Sequence, residues 1–155
     1  MSARFMREAI RLSIQLMRRG NGGPFGAVVV RKGKVVGRGS NQVTSANDPT
    51  AHAEIVAIRE ACKRLKTFQL DDCDLYTSCE PCPMCLAAAY WARIGAIYYG
   101  ANAADAAKAG FDDAFLYDEM RKDHAARTIP SKQMLNDEAW ASFKAWMESP
   151  SKIEY

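Results

Sequence analysis

The periodicity of apolar positions divides the N-terminal part of the chain into a helix and a β-hairpin. Apolar side chains at three- and four-residue intervals predict an amphipathic helix over residues 3–19, which the glycine-rich stretch 20–24 ends. Two short β-branched runs follow at residues 27–31 and 35–38. The Lys32-Gly33 pair between them favours a turn, so the two runs are predicted to form a hairpin.

The middle of the chain has a strand–helix–strand pattern. Residues 75–78 predict a third strand that leads directly into a helix ending at about Arg93, and residues 94–100 predict a fourth strand. A strand, a helix and a strand in succession imply a right-handed crossover and a sheet with parallel pairs. The predicted fold class is therefore α/β, with a ligand crevice outside the ends of the strands.

The C-terminal part of the chain carries weaker signals. Residues 114–122 and 137–147 have helical periodicity, and the second segment places its aromatic residues on one face. Residues 127–134 predict a fifth strand, which Pro130 would restrict to the edge of the sheet because proline cannot donate a ladder hydrogen bond. The last segment, residues 148–155, is expected to be a tail.

Length and cysteine usage favour one domain that covers residues 1–155. A hydrophobic content of 48% over 155 residues supports a continuous core without disulfides. The chain has five cysteines, an odd number, and three of them lie within seven positions. That arrangement suits metal binding in a reducing compartment, so a cytoplasmic location is expected. Cys62 and Cys73 are interpreted as small buried side chains.

Charge and hydropathy argue against nucleic acid and membranes as partners. The net charge of +3 comes from 21 basic and 18 acidic residues whose basic pairs are scattered, whereas a nucleic-acid surface needs a concentrated basic face. The longest apolar run, Met84–Ala92, is far shorter than the roughly 20 residues that cross a bilayer. Neither a membrane segment nor an export signal is expected.

The strongest chemical signal is a His-Ala-Glu motif followed, after 26 residues, by Pro-Cys-Pro-Met-Cys. His52, Cys82 and Cys85 supply three zinc ligands, and Glu54 supplies a carboxylate that is not one of them. Structural zinc normally has four protein ligands, whereas three leave a position for water, whose pKa the metal lowers to roughly 7. The pattern therefore predicts a hydrolytic zinc site in which Glu54 handles protons.

Both halves of this motif are predicted to lie where helices begin. Positions two apart on a helix point about 200° apart, so His52 and Glu54 can share a target only at a helix end. Asp48 as N-cap and Pro49 as first helical residue predict a helix that runs to about Leu65. The two cysteines have the i, i+3 spacing of one helix face, and the prolines beside them favour a second helix start. Two helix dipoles would then stabilise the anionic ligands.

The motif is that of zinc-dependent nucleobase deaminases, and longer stretches resemble a narrower family, the bacterial guanine deaminases of the cytidine-deaminase fold. The resemblance covers essentially the whole chain. The metal motif carries the wider assignment, while a Phe-Asp-Asp segment and the C-terminal tyrosine carry the narrower one. The matching stretches are Gly22–Ala27, Asn47–Glu54, Tyr76–Cys85 and Ala109–Asp113.

This resemblance implies a three-layer α-β-α sandwich around a mixed five-stranded sheet. It also implies one zinc ion per subunit and hydrolysis of guanine to xanthine and ammonia, a step of purine catabolism or salvage. Hydroxide on zinc would attack the ring carbon that bears the amino group. Glu54 would take the proton of the water, pass one to a ring nitrogen and protonate the departing amine.

The polar edge of guanine presents donors and acceptors, which an amide and a buried carboxylate complement. Asn41 and Asp113 match the positions that contact the base in the family the chain resembles, and Asp112 then has a structural role. On the residues alone, Asn41 could instead cap a turn, and either aspartate could cap the following helix.

The remaining substrate contacts are expected from apolar groups and from the tail. A flat heterocycle needs apolar faces to stack on, for which Phe25 and Trp91 are the candidates. Ala53, between the ligand and the carboxylate, is expected to line the substrate site. In the family resembled, the C-terminal segment crosses to the neighbouring subunit and its final tyrosine closes the partner's pocket. The resemblance therefore implies a domain-swapped homodimer in which residues 148–155 are exchanged and Tyr155 reaches the base.

Other interpretations remain open at this point. Cys79 could join His52, Cys82 and Cys85 in a closed structural zinc site or part of an iron–sulfur site, although Glu54 would then have no function. The family resembled has a cysteine at this place that is not a ligand. The substrate could be another heterocycle, such as cytosine, ammeline or guanosine, or an adenosine in tRNA. A non-catalytic, zinc-stabilised interaction module is the alternative from another class.

Overall fold

Four strands form a mixed sheet in the N-terminal part of the protein. The computed structural model describes residues 1–111 and 113–155. The strands are β1 (Gly26–Arg31), β2 (Lys34–Ser40), β3 (Cys73–Cys79) and β4 (Ala96–Ala101). Their order across the sheet is β2-β1-β3-β4. β1 is antiparallel to both β2 and β3, whereas β3 and β4 are parallel, as the strand–helix–strand pattern predicts.

The described residues also form seven α-helices and one short 3₁₀ helix. The chain divides into two compact units, Met1–Leu116 and Tyr117–Tyr155, and the sheet belongs to the first. The helices are α1 (Ala3–Arg18), α2 (Val43–Ala46), α3 (Ala53–Leu65), α4 (Pro83–Trp91), α5 (Ala103–Lys108), α6 (Asp113–Arg121) and α7 (Asn136–Glu148), with the 3₁₀ turn at His124–Ala126.

The two faces of the sheet carry separate apolar clusters because successive strand residues point to opposite sides. Val28 and Val30 pack with Phe5 of α1 on one face. Ala27 and Val29 pack with residues of α3 on the other face. All four strand residues are almost completely buried. The first unit therefore has helices on both faces of the sheet, in three α-β-α layers.

The predicted hairpin between β1 and β2 is confirmed. Lys32 and Gly33 have φ values of 48° and 71°, so both turn residues lie in the left-handed region that two-residue hairpins of type I′ require. Gly33 adopts this conformation without steric cost, because it has no Cβ. Val29 and Val30 of β1 pair with Gly37 and Val35 of β2, so Val36 is an extra residue that marks a bulge in β2.

Glycines in β2 allow α3 to lie directly on the sheet. A Cβ built at Gly37 would overlap the carbonyl oxygen of Ala57, and one at Gly39 would overlap the carbonyl oxygen of Ala53. Both overlaps involve helix backbone, which has no flexible end that could move aside. The absence of side chains at Gly37 and Gly39 therefore allows the close approach of α3 to the sheet. Gly39 allows it at Ala53, the first residue of the helix.

The predicted fifth strand is wrong. Residues 127–134 form no strand, and the sheet of the described residues has four. The backbone N–H of Thr128 donates to Oε2 of Glu119 at 2.7 Å, so a side chain takes the place of a neighbouring strand. Pro130 has no N–H to donate, and residues 128–134 are all exposed. The segment therefore lacks the buried face of a strand, and two of its backbone positions cannot donate to a neighbouring strand.

The start of α3 also differs from the prediction. The helix begins at Ala53 rather than at Pro49, because Asp48 caps a local turn and not the helix. Oδ1 of Asp48 accepts hydrogen bonds from the backbone N–H of Thr50 at 2.8 Å and from its hydroxyl at 2.7 Å. This arrangement is an Asx turn, a common alternative to a helix cap. The predicted end of the helix at Leu65 is confirmed.

Within the described ranges, no helix combines the length and the apolar character needed to cross a membrane.

We expect Gly39→Ala to destabilise the protein because the new methyl group would push α3 away from β2. Overpacking of this kind costs about 1–3 kcal/mol of folding stability. The melting temperature should fall by roughly 2–4 °C for each kcal/mol lost. Lys34→Ala, at an exposed position of the same strand, is the control and should unfold close to the wild-type temperature. Equal melting temperatures for the two variants would contradict the role of Gly39 in seating the helix.

Candidate metal centre

His52 lies immediately before α3 and is its N-cap residue, with extended backbone angles of φ −70° and ψ 156°. Glu54 is the second residue of the helix. The change from extended to helical backbone between them removes the 200° separation that two helical residues would have. Both side chains can therefore face the same cavity, as the motif required.

The β3–α4 connection places the cysteines in an equivalent way. Cys82 is the N-cap residue of α4, with φ −66° and ψ 168°, and Pro83 is the first helical residue. Proline is well suited to that position because its missing N–H would have no intrahelical partner. Cys85 is the third helical residue. Each of the two helices therefore begins beside one of the three potential ligands.

The three side chains meet at distances that suit zinc. Nδ1 of His52 lies 3.5 Å from Sγ of Cys82 and 3.5 Å from Sγ of Cys85. All three ligand atoms lie within 4.8 Å of one another. Tetrahedral zinc, with bonds of about 2.0–2.1 Å to nitrogen and 2.3 Å to sulfur, separates such a pair of atoms by about 3.5 Å. The residues present therefore fit a zinc ion.

The electrostatics of the cluster also favour a cation. Hydrogen bonding with Cys85, and then with His52, lowers the pKa of the Cys82 thiol to about 4, against burial. Hydrogen bonding with Cys82, burial and the nearby Glu54 raise the pKa of Cys85. Hydrogen bonding to Cys82 raises the pKa of His52. The first thiolate forms readily, and its negative charge then disfavours ionisation of the second thiol. A bound divalent cation offsets this repulsion between the two thiolates.

Glu54 is nearly buried, with 4% of its surface exposed. Its Oε1 accepts a hydrogen bond from the hydroxyl of Thr77 at 2.9 Å, and its Oε2 lies 3.4 Å from Sγ of Cys85. Burial raises the pKa of the carboxyl group, while hydrogen bonds from its own N–H, Thr77 and Cys85 oppose that shift. A buried carboxyl group with a raised pKa is suited to both take up and release protons.

A cavity of about 400 Å³ opens beside these groups. Such a volume is in the range of small-molecule sites. The cavity contains apolar, amide and carboxylate groups together with two residues of the metal cluster. The described residues that line it are Gly23, Phe25, Asn41, Val43, Thr44, His52, Glu54, Glu80, Cys82, Phe111 and Asp113.

Asn41 has a fixed orientation in this cavity. Its Oδ1 accepts hydrogen bonds from the backbone N–H of Gly23 at 3.1 Å and of Val43 at 3.2 Å. Because these two donors occupy the oxygen, the NH₂ group is what Asn41 offers to a ligand. Gly22 packs against the same amide, where any side chain would overlap Oδ1. The glycine loop therefore decides which end of the amide a ligand meets.

An aromatic pair forms the apolar wall of the cavity. The rings of Phe25 and Phe111 are 4.7 Å apart at 81°, an edge-to-face contact. Edge-to-face contacts of this kind are a favoured arrangement of two aromatic rings. Phe111 belongs to the Phe-Asp-Asp segment, and Asp113, the first residue of α6, lies on the same cavity.

Other predicted site residues lie elsewhere. Trp91, at the end of α4, is 62% exposed and is absent from the described residues that line the cavity. Trp91 lies at the end of α4 that is farthest from the metal cluster, and its stacking on a substrate stays a prediction. Tyr155 belongs to the second unit and is exposed. Ala53 is fully buried, and its carbonyl lies against Gly39. Asp112 lies outside the described residues.

Cys79 is not part of the metal cluster formed by the described residues, which contains one histidine and two cysteines. Its Sγ contacts the carbonyl oxygen of Asn102 at 3.9 Å. Burial raises the pKa of this thiol, which disfavours the thiolate that metal binding needs. These observations weigh against the closed four-ligand site.

Three polar residues in or beside the site, Thr77, Glu80 and Thr44, were not predicted from the sequence. Thr77 had a signal, since it is a polar residue in the predicted strand that leads directly into the cysteine helix. Glu80 directly precedes the Pro-Cys motif, and its Oε2 accepts a hydrogen bond from the N–H of Ala103 at 2.9 Å. Thr44 lies in the short helix after Asn41, for which the pattern of apolar residues holds no signal.

The site has a counterpart in known proteins. Residues 1–101 match the zinc-binding region of cytidine and deoxycytidylate deaminases. A tRNA-specific adenosine deaminase from Aquifex aeolicus is 40% identical over 97 residues, which are 63% of this chain and 64% of that protein. The wider family is therefore shown by the part of the chain that holds the sheet and the metal ligands.

A narrower likeness extends over the whole chain. The guanine deaminase of Bacillus subtilis is 54% identical over 151 residues, which are 97% of both chains. The X-ray structure of guanine deaminase from Bacillus subtilis matches with a TM-score of 0.96 at 52% identity, covering 100% of this chain and 99% of that one. The chain therefore belongs to the zinc-binding cytidine and deoxycytidylate deaminase family and, within it, to the bacterial guanine deaminases.

Proposed function

We propose that this protein hydrolyses guanine to xanthine and ammonia. The observation that carries the proposal is the placement of Glu54 beside a zinc-fitting His52, Cys82 and Cys85 cluster in one cavity. The likeness to a guanine deaminase over 97% of both chains supports guanine as the substrate. We place the reaction in the cytoplasm, because cysteine ligands favour a reducing compartment.

His52, Cys82 and Cys85 would hold one zinc ion per subunit, which supplies Lewis-acid activation of water when it is bound. Glu54 takes a proton from the attacking water and passes it to a ring nitrogen of the base. It then takes the second proton from the hydroxyl group now on the ring carbon and delivers it to the amino group, which leaves as ammonia. The water adds to the ring carbon and the carbon–nitrogen bond to the amino group breaks, so that guanine and water give xanthine and ammonia.

The polar residues of the cavity would select the base. The NH₂ group of Asn41 is oriented to donate to an acceptor of the base, and the carboxylate of Asp113 accepts from a donor. The Phe25 ring supplies an apolar face for the heterocycle, and Ala53 closes the inner end of the site. A ligand that lacks one of the polar groups leaves a protein group unpaired, at about 1–3 kcal/mol.

We further propose a homodimer in which residues 148–155 are exchanged and Tyr155 closes the partner's pocket. The second unit supports this proposal, since it has no buried residue among those described and carries many exposed apolar side chains. A segment of this composition gains free energy by burying such side chains against another surface. The exposed apolar residues of this unit include Ile129, Met134, Leu135, Trp140, Phe143, Met147, Ile153 and Tyr155.

A substrate panel tests the proposed reaction. Ammonia release is measured at equal concentrations of guanine, cytosine, adenine, guanosine and ammeline, with a transcript of tRNA as a further substrate. Guanine should give the highest kcat/KM. A preference for another heterocycle would change the assigned substrate but would leave the proposed zinc-dependent hydrolysis unchanged. Absence of ammonia from every substrate, by a protein that is loaded with zinc, would favour the non-catalytic interaction module.

We expect Glu54→Gln to keep about one zinc per chain and to lose at least about 100-fold in kcat, because an amide cannot carry the proton. Zinc content is measured by metal analysis and turnover by ammonia release. His52→Ala is the matched comparison, and it should lose zinc and stability together because metal binding is coupled to folding. Loss of zinc from Glu54→Gln would show that Glu54 is a ligand.

Asp113→Asn should reduce kcat/KM for guanine by roughly 5- to 150-fold while zinc content and melting temperature stay close to wild type, because an acceptor-only group is replaced by a mixed one. Asparagine is also compatible with the start of α6, so the helix should persist. Asp112→Asn is the neighbouring control and should have a smaller effect. The reverse order of the two effects would place the substrate carboxylate one residue earlier.

Deletion of residues 153–155 should abolish activity without removing zinc, because the pocket of each subunit would lose the Tyr155 that its partner supplies. The deleted protein is then unfolded and reassembled with an equal amount of Glu54→Ala. Heterodimers regain one complete site, so a random mixture should recover up to about a quarter of the wild-type activity. No recovery in proven heterodimers would exclude the exchange, and a fully active deletion would exclude a role for Tyr155.

A further inference from the structure

One buried hydroxyl group holds the carboxylate of Glu54. The hydroxyl of Thr77 donates to Oε1 of Glu54 at 2.9 Å. Thr77 is completely buried and Glu54 is 4% exposed, so solvent water does not compete freely for this hydrogen bond. A hydrogen bond from a neutral donor to a carboxylate in such surroundings is stronger than one at the surface.

The other oxygen has no comparable anchor once a metal is bound. Oε2 lies 3.4 Å from Sγ of Cys85, which can donate to it only as a thiol. Cysteine ligates zinc as a thiolate, and a thiolate has no proton to donate. Among the described residues, Thr77 is therefore the side chain that would still donate to Glu54 with zinc bound, while Oε2 lies beside Cys85.

The backbone of Thr77 is held in the interior of the sheet. β3 lies between β1 and β4, and Thr77 pairs with Ala27 on one side and with Tyr99 on the other. A residue in a central strand, with neighbours hydrogen-bonded on both sides, cannot move without disturbing two strand pairs. The hydroxyl is therefore supplied from a rigid position. Thr77 is also absent from the described lining of the cavity, so it has no direct part in binding the base.

We propose that Thr77 is a positioning residue for proton transfer: by holding Oε1, it leaves Oε2 as the oxygen of Glu54 that receives and delivers protons. This inference rests on the proposed role of Glu54 in the reaction. The terminal torsion of a glutamate side chain is broad and roughly two-fold, so an unanchored carboxylate samples many directions. A carboxylate held at one oxygen presents the other oxygen in one direction, which proton transfer over hydrogen-bond distance requires.

The decisive variants are Thr77→Val, which removes the hydroxyl at nearly constant shape, and Thr77→Ser, which keeps it. Thr77→Val should lower kcat for guanine by about 10- to 100-fold, the range seen when an outer partner of a site residue is removed. KM should stay within about twofold, because the base does not touch Thr77. Thr77→Ser should recover most of kcat. Zinc content, melting temperature and the affinity for xanthine should stay close to wild type in both variants.

Ser13→Ala is the matched control, because it also removes a buried hydroxyl, one that donates to the carbonyl of Ile10 within α1. It should leave kcat and KM unchanged. The inference is overturned if Thr77→Val keeps its kcat, if Thr77→Ser is as slow as Thr77→Val, or if Thr77→Val loses zinc or its fold. Glu54→Gln distinguishes failure of the positioning role from failure of the proposed function. If Glu54→Gln is inactive and Thr77→Val is fully active, the positioning role alone is refuted. If the wild-type protein does not act on guanine, the proposed substrate is refuted.

Discussion

The site depends on one geometric constraint: α3 and α4 must begin close enough together for side chains from both helix starts to reach one metal ion. Each begins with a residue in extended conformation whose side chain belongs to the metal cluster, His52 in one case and Cys82 in the other. The positive ends of both helix dipoles therefore meet where three ligands, two of them ionised in the loaded site, converge. A small displacement of either helix would change the distances from His52 to both cysteines together.

The sheet provides the rigidity that this constraint needs. The glycines of β2 allow α3 to contact the strand backbone directly, and the direct passage from β3 into α4 ties the second helix to the centre of the sheet. Contacts between backbones have no rotamers to adjust. The carboxylate of Glu54 takes its hydrogen bond from the same central strand. The potential metal ligands, the carboxylate and the sheet are consequently linked within the first unit of the chain.

Features set by local chemistry could be predicted from the sequence. The positive-φ turn at Lys32-Gly33 is one such feature, and the metal ligands are another because their types and spacing suit zinc. Features set by competition between partners could not. Asp48 prefers the N–H and hydroxyl of Thr50 to the start of a helix. The backbone of Thr128 is bonded by a glutamate side chain instead of a strand. Apolar periodicity cannot reveal such choices, because they depend on which partner is nearest after folding.

The doubly bonded oxygen of Asn41 has a consequence for how selectivity could change. Since the backbone N–H groups of Gly23 and Val43 require an acceptor at that place, they fix the side chain without regard to what its other end carries. An aspartate could satisfy the same two donors and would present an acceptor in place of the NH₂ group. The pocket could therefore present an acceptor in place of a donor at this position without a change in its shape. New base preferences could be reached by a one-atom exchange in an otherwise unaltered loop.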